Sequence, residues 1–340
     1  MLKYLRLFSG LFLFSAASLN VFCQSPQMQA NPPKNWQNEG IEKDSVYGTG
    51  SDKALELLKG LPSVPVVVAV VDGGVYINHP YLKNHIWTNA KEIAGNKIDD
   101  DHNGYIDDIH GWDFIGGKDS DIKQETVEVT RLYRELGKKY ANTAADKVAK
   151  ADKEEYNKYL KVKKSFESSK AVYQVQYDNL KMFIDNVDRL EEAMGKKDVT
   201  KEDLDAYNPT DSTLIKTKGK LSRTLTMMQS FIKGATADSL KKQFKPALNQ
   251  LSTFVNYQYN VDFNPRYIVG DNYADANERY YGNNDVVGPT DLHATHVSGI
   301  IAGNRTGRPG DAEGIADNAV IMAVRVVPDG DERDKDVANG

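Results

Sequence analysis

A single cysteine, Cys23, stands in 340 residues. One thiol cannot make an intrachain disulfide, so packing, hydrogen bonds or metal ions must stabilise the fold. Neither charge sign dominates. The net charge of −5 gives no electrostatic case for nucleic acid or an anionic membrane as a partner. Long apolar runs are also missing. Leu7–Val21 is the longest, and it is too short to span a bilayer. Glycine and proline almost disappear between about Asp121 and Tyr259, which leaves few turn signals there. With 40% apolar and 27% charged residues the chain reads as globular rather than disordered.

The N-terminus has the form of a secretory signal over residues 1–23. Lys3 and Arg6 precede the apolar run, and Val21 and Cys23 occupy the −3 and −1 positions if cleavage falls before Gln24. The mature chain then has no cysteine and no transmembrane span. The expected location is secreted or periplasmic. The rival reading lipidates Cys23, but the bulky Phe22 just before it argues against that.

Residues 24–60 read as a loose arm ending in a short helix around Ala54–Lys59. Val66–Val71 is an uninterrupted β-branched run, the pattern of a parallel strand covered on both faces. It stops at Asp72-Gly73-Gly74, a turn signal. Residues 87–117, rich in Asp, Asn and Gly, form an expected ordered loop. The Lys- and Glu-rich stretch that follows is helical. Tyr173, Tyr177, Leu180, Ile184, Val187 and Met194 repeat at three, four and seven, close to heptad form. Leu214, Leu221, Leu225 and Met228 do the same, as do Leu240, Phe244, Leu248, Leu251 and Val255. Gly195, Asn208-Pro209 and Gly234 separate the helices, and Pro246 should kink the last. Beyond Val261 an αβ pattern returns. His293–Gly303 has helical spacing with Thr290 or Asp291 as candidate cap, and Val320–Val327 is a second buried-type strand. The expected fold is α/β, a doubly wound parallel sheet. Its core parts, 61–120 and 261–340, flank an inserted all-α helical bundle over 121–260.

Asp72 ends its strand at the edge where active sites collect in open parallel sheets. Alone it reads as a turn aspartate. His293 stands at a helix start, with His296 one turn on. Three readings are open: both histidines structural, a metal site of Asp291, His293 and His296, or His293 as a general base. In the last, Asp72 would orient the imidazole and stabilise its protonated form.

The blocks VAVVDGGV around Asp72, HATHVSGIIAG from His293 and EGIADNAVIMAVRVV at 313–327 resemble, in order, three blocks of the subtilisin-like peptidases, family S8. The resemblance covers roughly 61–118 and 262–340. It implies a Ser-His-Asp endopeptidase acting on protein or peptide substrates, with Asp72 and His293 as two of the three catalytic residues. Gly73 stands where the family has Ser or Thr, Ala294 where it has Gly, and Ser298 where it has Ala. Tyr81 replaces an aspartate that often binds structural calcium. The family's serine motif and oxyanion asparagine do not occur. The chain is therefore expected to be a front fragment, inactive alone. The alternative from another class is a calcium-stabilised helical binding or adhesion module on a degenerate protease core.

Residues 99–108 fall in the register of a calcium loop. Asp99, Asp101 and Asn103 take positions 1, 3 and 5, Gly104 the sharp turn at 6, the Tyr105 carbonyl 7 and Asp107 9. His110 stands at 12 instead of the bidentate Glu, and Asp108 is the expected substitute. Carboxylates packed this tightly repel one another without a cation, so structural Ca2+ is the expected cofactor. Similar loops occur in some subtilases.

Overall fold

The computed structural model describes residues 34–307 and 311–340, so the expected signal over residues 1–23, with Cys23, and the Pro32-Pro33 pair lie outside the described residues. Three strands, β1 (Val66–Asp72), β2 (Gly111–Asp113) and β3 (Ala319–Arg325), form one sheet in the order β1-β3-β2. β2 runs parallel to β3, with Trp112 opposite Val324 and Asp113 opposite Arg325. The helices in chain order are α1 (Ile41–Asp44), α2 (Ser51–Leu58), α3 (Glu128–Tyr140), α4 (Lys153–Met194), α5 (Lys201–Ala206), α6 (Ser212–Gln229), α7 (Ala237–Thr253), α8 (Leu292–Ala302) and α9 (Asp334–Asn339). A small parallel sheet joined by helices is consistent with an α/β fold.

The described residues divide into two compact units, one of 34–66, 80–85, 297–307 and 311–320, the other of 67–79, 86–296 and 321–340. In the first, residues 34–60 are better held than a loose arm. Asn35 donates to the Asp311 carbonyl at 2.9 Å and accepts from the Glu313 amide at 2.9 Å. Asn38 is fully buried and accepts from the Ser51 hydroxyl at 2.8 Å. Amide side chains that bond backbone make this attachment, and no hydrophobic period announces it.

β1 forms as expected but not as a strand covered on both faces. Val67 and Val71 remain 47% and 39% exposed. β1 lies at the end of the strand order, and a run of valines reads the same in a central or an edge strand.

In the second unit α4 is 42 residues long, roughly 63 Å at 1.5 Å per residue. Its apolar stripe reaches further back than the heptad spacing from Tyr173 suggests, since Tyr159 and Phe166 are each 3% exposed. The Phe166 ring stacks on Tyr133 of α3 at 4.4 Å, and Tyr173 packs on Phe254 at 4.3 Å. Further along, Val187 and Leu190 share a core with Leu204 of α5, Leu221, Leu225 and Met228 of α6, and Leu240 of α7. Gly195 ends α4 in the left-handed conformation (φ 61°), where glycine carries no Cβ penalty. Pro246 lies inside α7, which continues to Thr253 and passes into a π-helical turn at Phe254–Gln258.

The helices are rooted beside the segment after β3. The Gln258 carbonyl accepts from the Val127 amide and the Thr130 hydroxyl, and its side chain donates to Asp329. Arg131 donates to the carbonyls of Thr126, Asp331 and Glu332. Truncating Leu225→Ala should leave a cavity in the helical core and cost about 2–5 kcal/mol. Chemical denaturation followed by circular dichroism will measure it, and Met227→Ala, at an exposed position of the same helix, should cost far less.

Candidate active site

β1 delivers Asp72 at its carboxyl end, and α8 delivers His293 in its first turn. His293 Nδ1 lies 2.7 Å from Asp72 Oδ2. The other carboxylate oxygen accepts the Gly73 amide at 2.6 Å. The aspartate side chain is 18% exposed and the histidine side chain 75% exposed. A carboxylate only accepts, so Nδ1 carries the proton of the neutral ring, and the lone pair sits on Nε2. The carboxylate is thus pinned by backbone on one side and pins the imidazole on the other. The imidazole is left open for proton transfer to a reacting group.

The surroundings bear on the glycine that follows Asp72. A Cβ on Gly73 would stand 2.7 Å from the Thr290 carbonyl oxygen, so a side chain there would push α8's approach away from β1. Gly74 has φ +104° and lies so close to Val287 that a Cβ would meet that carbonyl at 2.1 Å. Ala294, by contrast, buries its methyl completely. Thr290 stands two residues before the first residue of α8. Its hydroxyl donates to the Gly73 carbonyl at 2.9 Å, tying the turn after Asp72 to the start of α8. The Tyr76 amide donates to the Thr295 hydroxyl at 2.8 Å and adds a second tie.

Arg325, a lone cation in the apolar run of β3, is the residue that pattern reading passes over. It is fully buried. Its guanidinium pairs with Asp113 of β2 at 2.6 Å, donates to the Gly73 carbonyl at 3.2 Å and reaches the Ile122 carbonyl. Burial pushes the Asp113 carboxyl up to about 7, against the guanidinium, which holds it down. The signal in the sequence was an arginine where a both-faces-buried strand should carry none.

The metal reading of Asp291, His293 and His296 finds no support. Among the described residues, the group whose ligand atoms lie within 4.8 Å of one another is Glu92, Asp99 and Asp101. His293 Nδ1 is engaged by Asp72 instead. The structure brings Asp99 and Asp101 together as the loop spacing expects and adds Glu92, which sequence reading missed because it lies outside the loop. Glu92 is buried and accepts from the amides of Asp101 and Asp107. Asn103 donates from its side chain to Asp108 at 3.0 Å and accepts the Tyr105 amide. Asp107 turns to the amides of Gly95 (2.7 Å) and Lys97 (3.0 Å). Burial pushes the Asp108 carboxyl up, its bonds from Asn89 and Asn103 hold it down, and the nearby Asp101 and Glu92 push it up further. The Tyr105 ring anchors the loop against Trp112 and Phe114.

The fold and the site together define an α/β protein whose strand-end aspartate orients a solvent-facing histidine. A model of the subtilase family, peptidase S8, matches residues 65–340, and the chain belongs to that family of serine peptidases. Its relatives include Subtilisin-like protease 1 of Plasmodium falciparum (isolate 3D7), 35% identical over 89 residues, which is 25% of this chain and 13% of that protein. The protein of the same name from Plasmodium vivax is 47% identical over 49 residues, 14% of this chain and 8% of that protein. That of Plasmodium berghei (strain Anka) is 40% identical over 65 residues, 19% and 11%. The chain therefore spans no more than 13% of the length of these relatives.

Arg325→Met should strand a buried carboxylate and destabilise the chain by about 3–5 kcal/mol. A carboxyl whose folded value is raised favours the fold while protonated, and that stability is lost as pH rises through the folded value. Without the guanidinium the Asp113 carboxyl rises further. The loss in Arg325→Met should then be larger at pH 9 than at pH 5, as urea denaturation at the two values will show.

Proposed function

We propose that the protein is an extracytoplasmic serine endopeptidase in which Asp72 and His293 form the acid–base half of a Ser-His-Asp triad. The 2.7 Å contact between Asp72 Oδ2 and His293 Nδ1 carries this reading. Asp72 holds the ring in the tautomer that leaves Nε2 basic. Nε2 takes the proton from a serine hydroxyl as the oxygen attacks the scissile carbonyl. The imidazolium, stabilised by the Asp72 carboxylate, then protonates the leaving amine. No motif of the 340 residues supplies that serine or a side-chain oxyanion donor. The nucleophile belongs to another segment of the whole protein, and this chain alone hydrolyses no peptide bond by this route. Residues 121–260 are read as a helical insertion in the peptidase core, and residues 1–23 as the export signal. In the whole protein, Asp72→Asn should lower kcat by about 10⁴-fold with KM little changed. His293→Ala should lower it comparably. Steady-state kinetics on a peptide substrate test this, and undiminished turnover in either variant would sink the reading.

The acidic loop completes the proposal. The donors are hard oxygens with no thiol or imidazole among the close group, which fits calcium rather than a transition metal. Glu92, Asp99 and Asp101 would hold the ion, with Asn103, the Tyr105 carbonyl, Asp107 and Asp108 as the remaining loop ligands. When bound, the ion neutralises the crowded carboxylates and braces a loop in a chain without disulfides. Calcium at a hundredfold excess over its Kd should stabilise the fold by about 2.7 kcal/mol, and EGTA should remove the gain. Asp99→Asn combined with Asp101→Asn should abolish the calcium-dependent shift in Tm. Magnesium at equal concentration should produce much less of it.

A further inference from the structure

A cleft of about 290 Å³ lies between the loop that ends at His110 and the segment Asn284–Val287. It is smaller than the pockets that take drug-sized ligands, and suits one long side chain. Ile77 and Val287 supply apolar wall, and both belong to the chain segments that carry the catalytic pair. Ile77 follows Asp72 through the turn at Gly73-Gly74, and Val287 precedes His293. These segments are fastened together by the Val75 amide, which donates to the Val286 carbonyl at 2.9 Å. The cleft is thus built from the same two strands of chain as the dyad.

Two side chains of its lining, His110 and Asp285, offer acceptors. His110 Nδ1 lies 2.9 Å from the Trp87 carbonyl, which can only accept. The neutral ring is therefore protonated at Nδ1 and presents the lone pair of Nε2. Asp285 uses Oδ1 to accept the amides of Val287 (3.1 Å) and Gly288 (3.3 Å), leaving Oδ2 with no partner among the described residues. No lysine or arginine lines the cleft, and Asp107, whose oxygens already accept the Gly95 and Lys97 amides, adds only its charge to the wall. Apolar walls with an acceptor head match the build of a side chain with an aliphatic stem and a cationic end.

We propose that this cleft is a specificity subsite for a lysine or arginine side chain of the peptide substrate, with the stem on Ile77 and Val287 and the head on Asp285 and His110. The proposal rests on the peptidase reading above, but its first test does not need activity. Nα-acetyl-arginine amide and the uncharged aliphatic Nα-acetyl-norleucine amide are titrated into the 340-residue chain while the His110 ring resonances are followed by NMR. A saturable His110 shift is expected with the arginine compound, at least tenfold weaker with norleucine. Asp285→Asn keeps an oxygen for the Val287 and Gly288 amides, so it should fold normally by circular dichroism yet bind the arginine compound tenfold more weakly. Asp285→Glu should restore part of the affinity. Equal binding of the two compounds, an unmoved His110, or unchanged affinity in Asp285→Asn overturns the subsite.

The second test uses the whole protein and a peptide library with lysine or arginine at each position around the scissile bond. Cleavage with a basic preference that Asp285→Asn abolishes supports the subsite. Cleavage indifferent to basic residues at every position overturns it and leaves the peptidase reading standing. Arginine binding at His110 without any cleavage upholds a cation-binding cleft and removes the peptidase reading.

Discussion

Arg325 sits at the point where the sheet, the loop after β2 and the turn after Asp72 meet. Its guanidinium engages Asp113, the Gly73 carbonyl and the Ile122 carbonyl at once, with no exposure to water. A buried cation is tolerated only when its donors are spent, and here they are spent on Asp113, the Ile122 carbonyl and the carbonyl of Gly73, the residue after Asp72. The backbone after Asp72 is consequently fixed from beneath by Arg325. From the side it is fixed by the Thr290 hydroxyl, which bonds the same Gly73 carbonyl. Asp72 then has little freedom, and neither does the start of α8. The 2.7 Å contact to His293 follows from those two constraints more than from any attraction between two partly solvated side chains.

Around this fixed point the molecule spends polar groups where a disulfide-rich protein would place bridges. Arg266 forms bidentate bonds to both Asp271 and Asp336. Arg333 pairs with Glu125 near the root of the helices. Such buried networks specify one arrangement because each half-broken alternative leaves a charge unpaired. The acidic loop at 99–108 is the exception, with the carboxylates of Glu92, Asp99 and Asp101 close together and no ion pair to the loop among the described residues. Calcium fills that role in the proposed function.

The helices between Glu128 and Thr253 follow a different logic. They are held by aromatic stacking near their root and by an aliphatic core at their far end, with Lys241 reaching the buried Glu191 at 2.7 Å. Their attachment to the segment Asp329–Glu332 means that the helical region and the backbone following β3 share hydrogen bonds.

The amino-acid sequence by itself determined the strand before Asp72, the heptad stripe of α4, the helix that begins beside His293 and the family to which these motifs belong. Those features depend on local periodicity and short spacing, which are written along the chain. It did not determine that Val67 and Val71 face solvent, that Asn38 anchors the arm, or that Glu92 joins the carboxylates of the loop. Nor did it show that Arg325 braces the turn after Asp72. Each of these depends on which distant segment lies alongside. Burial and hydrogen-bond partnership are properties of the packed neighbourhood, so only the tertiary structure decided them.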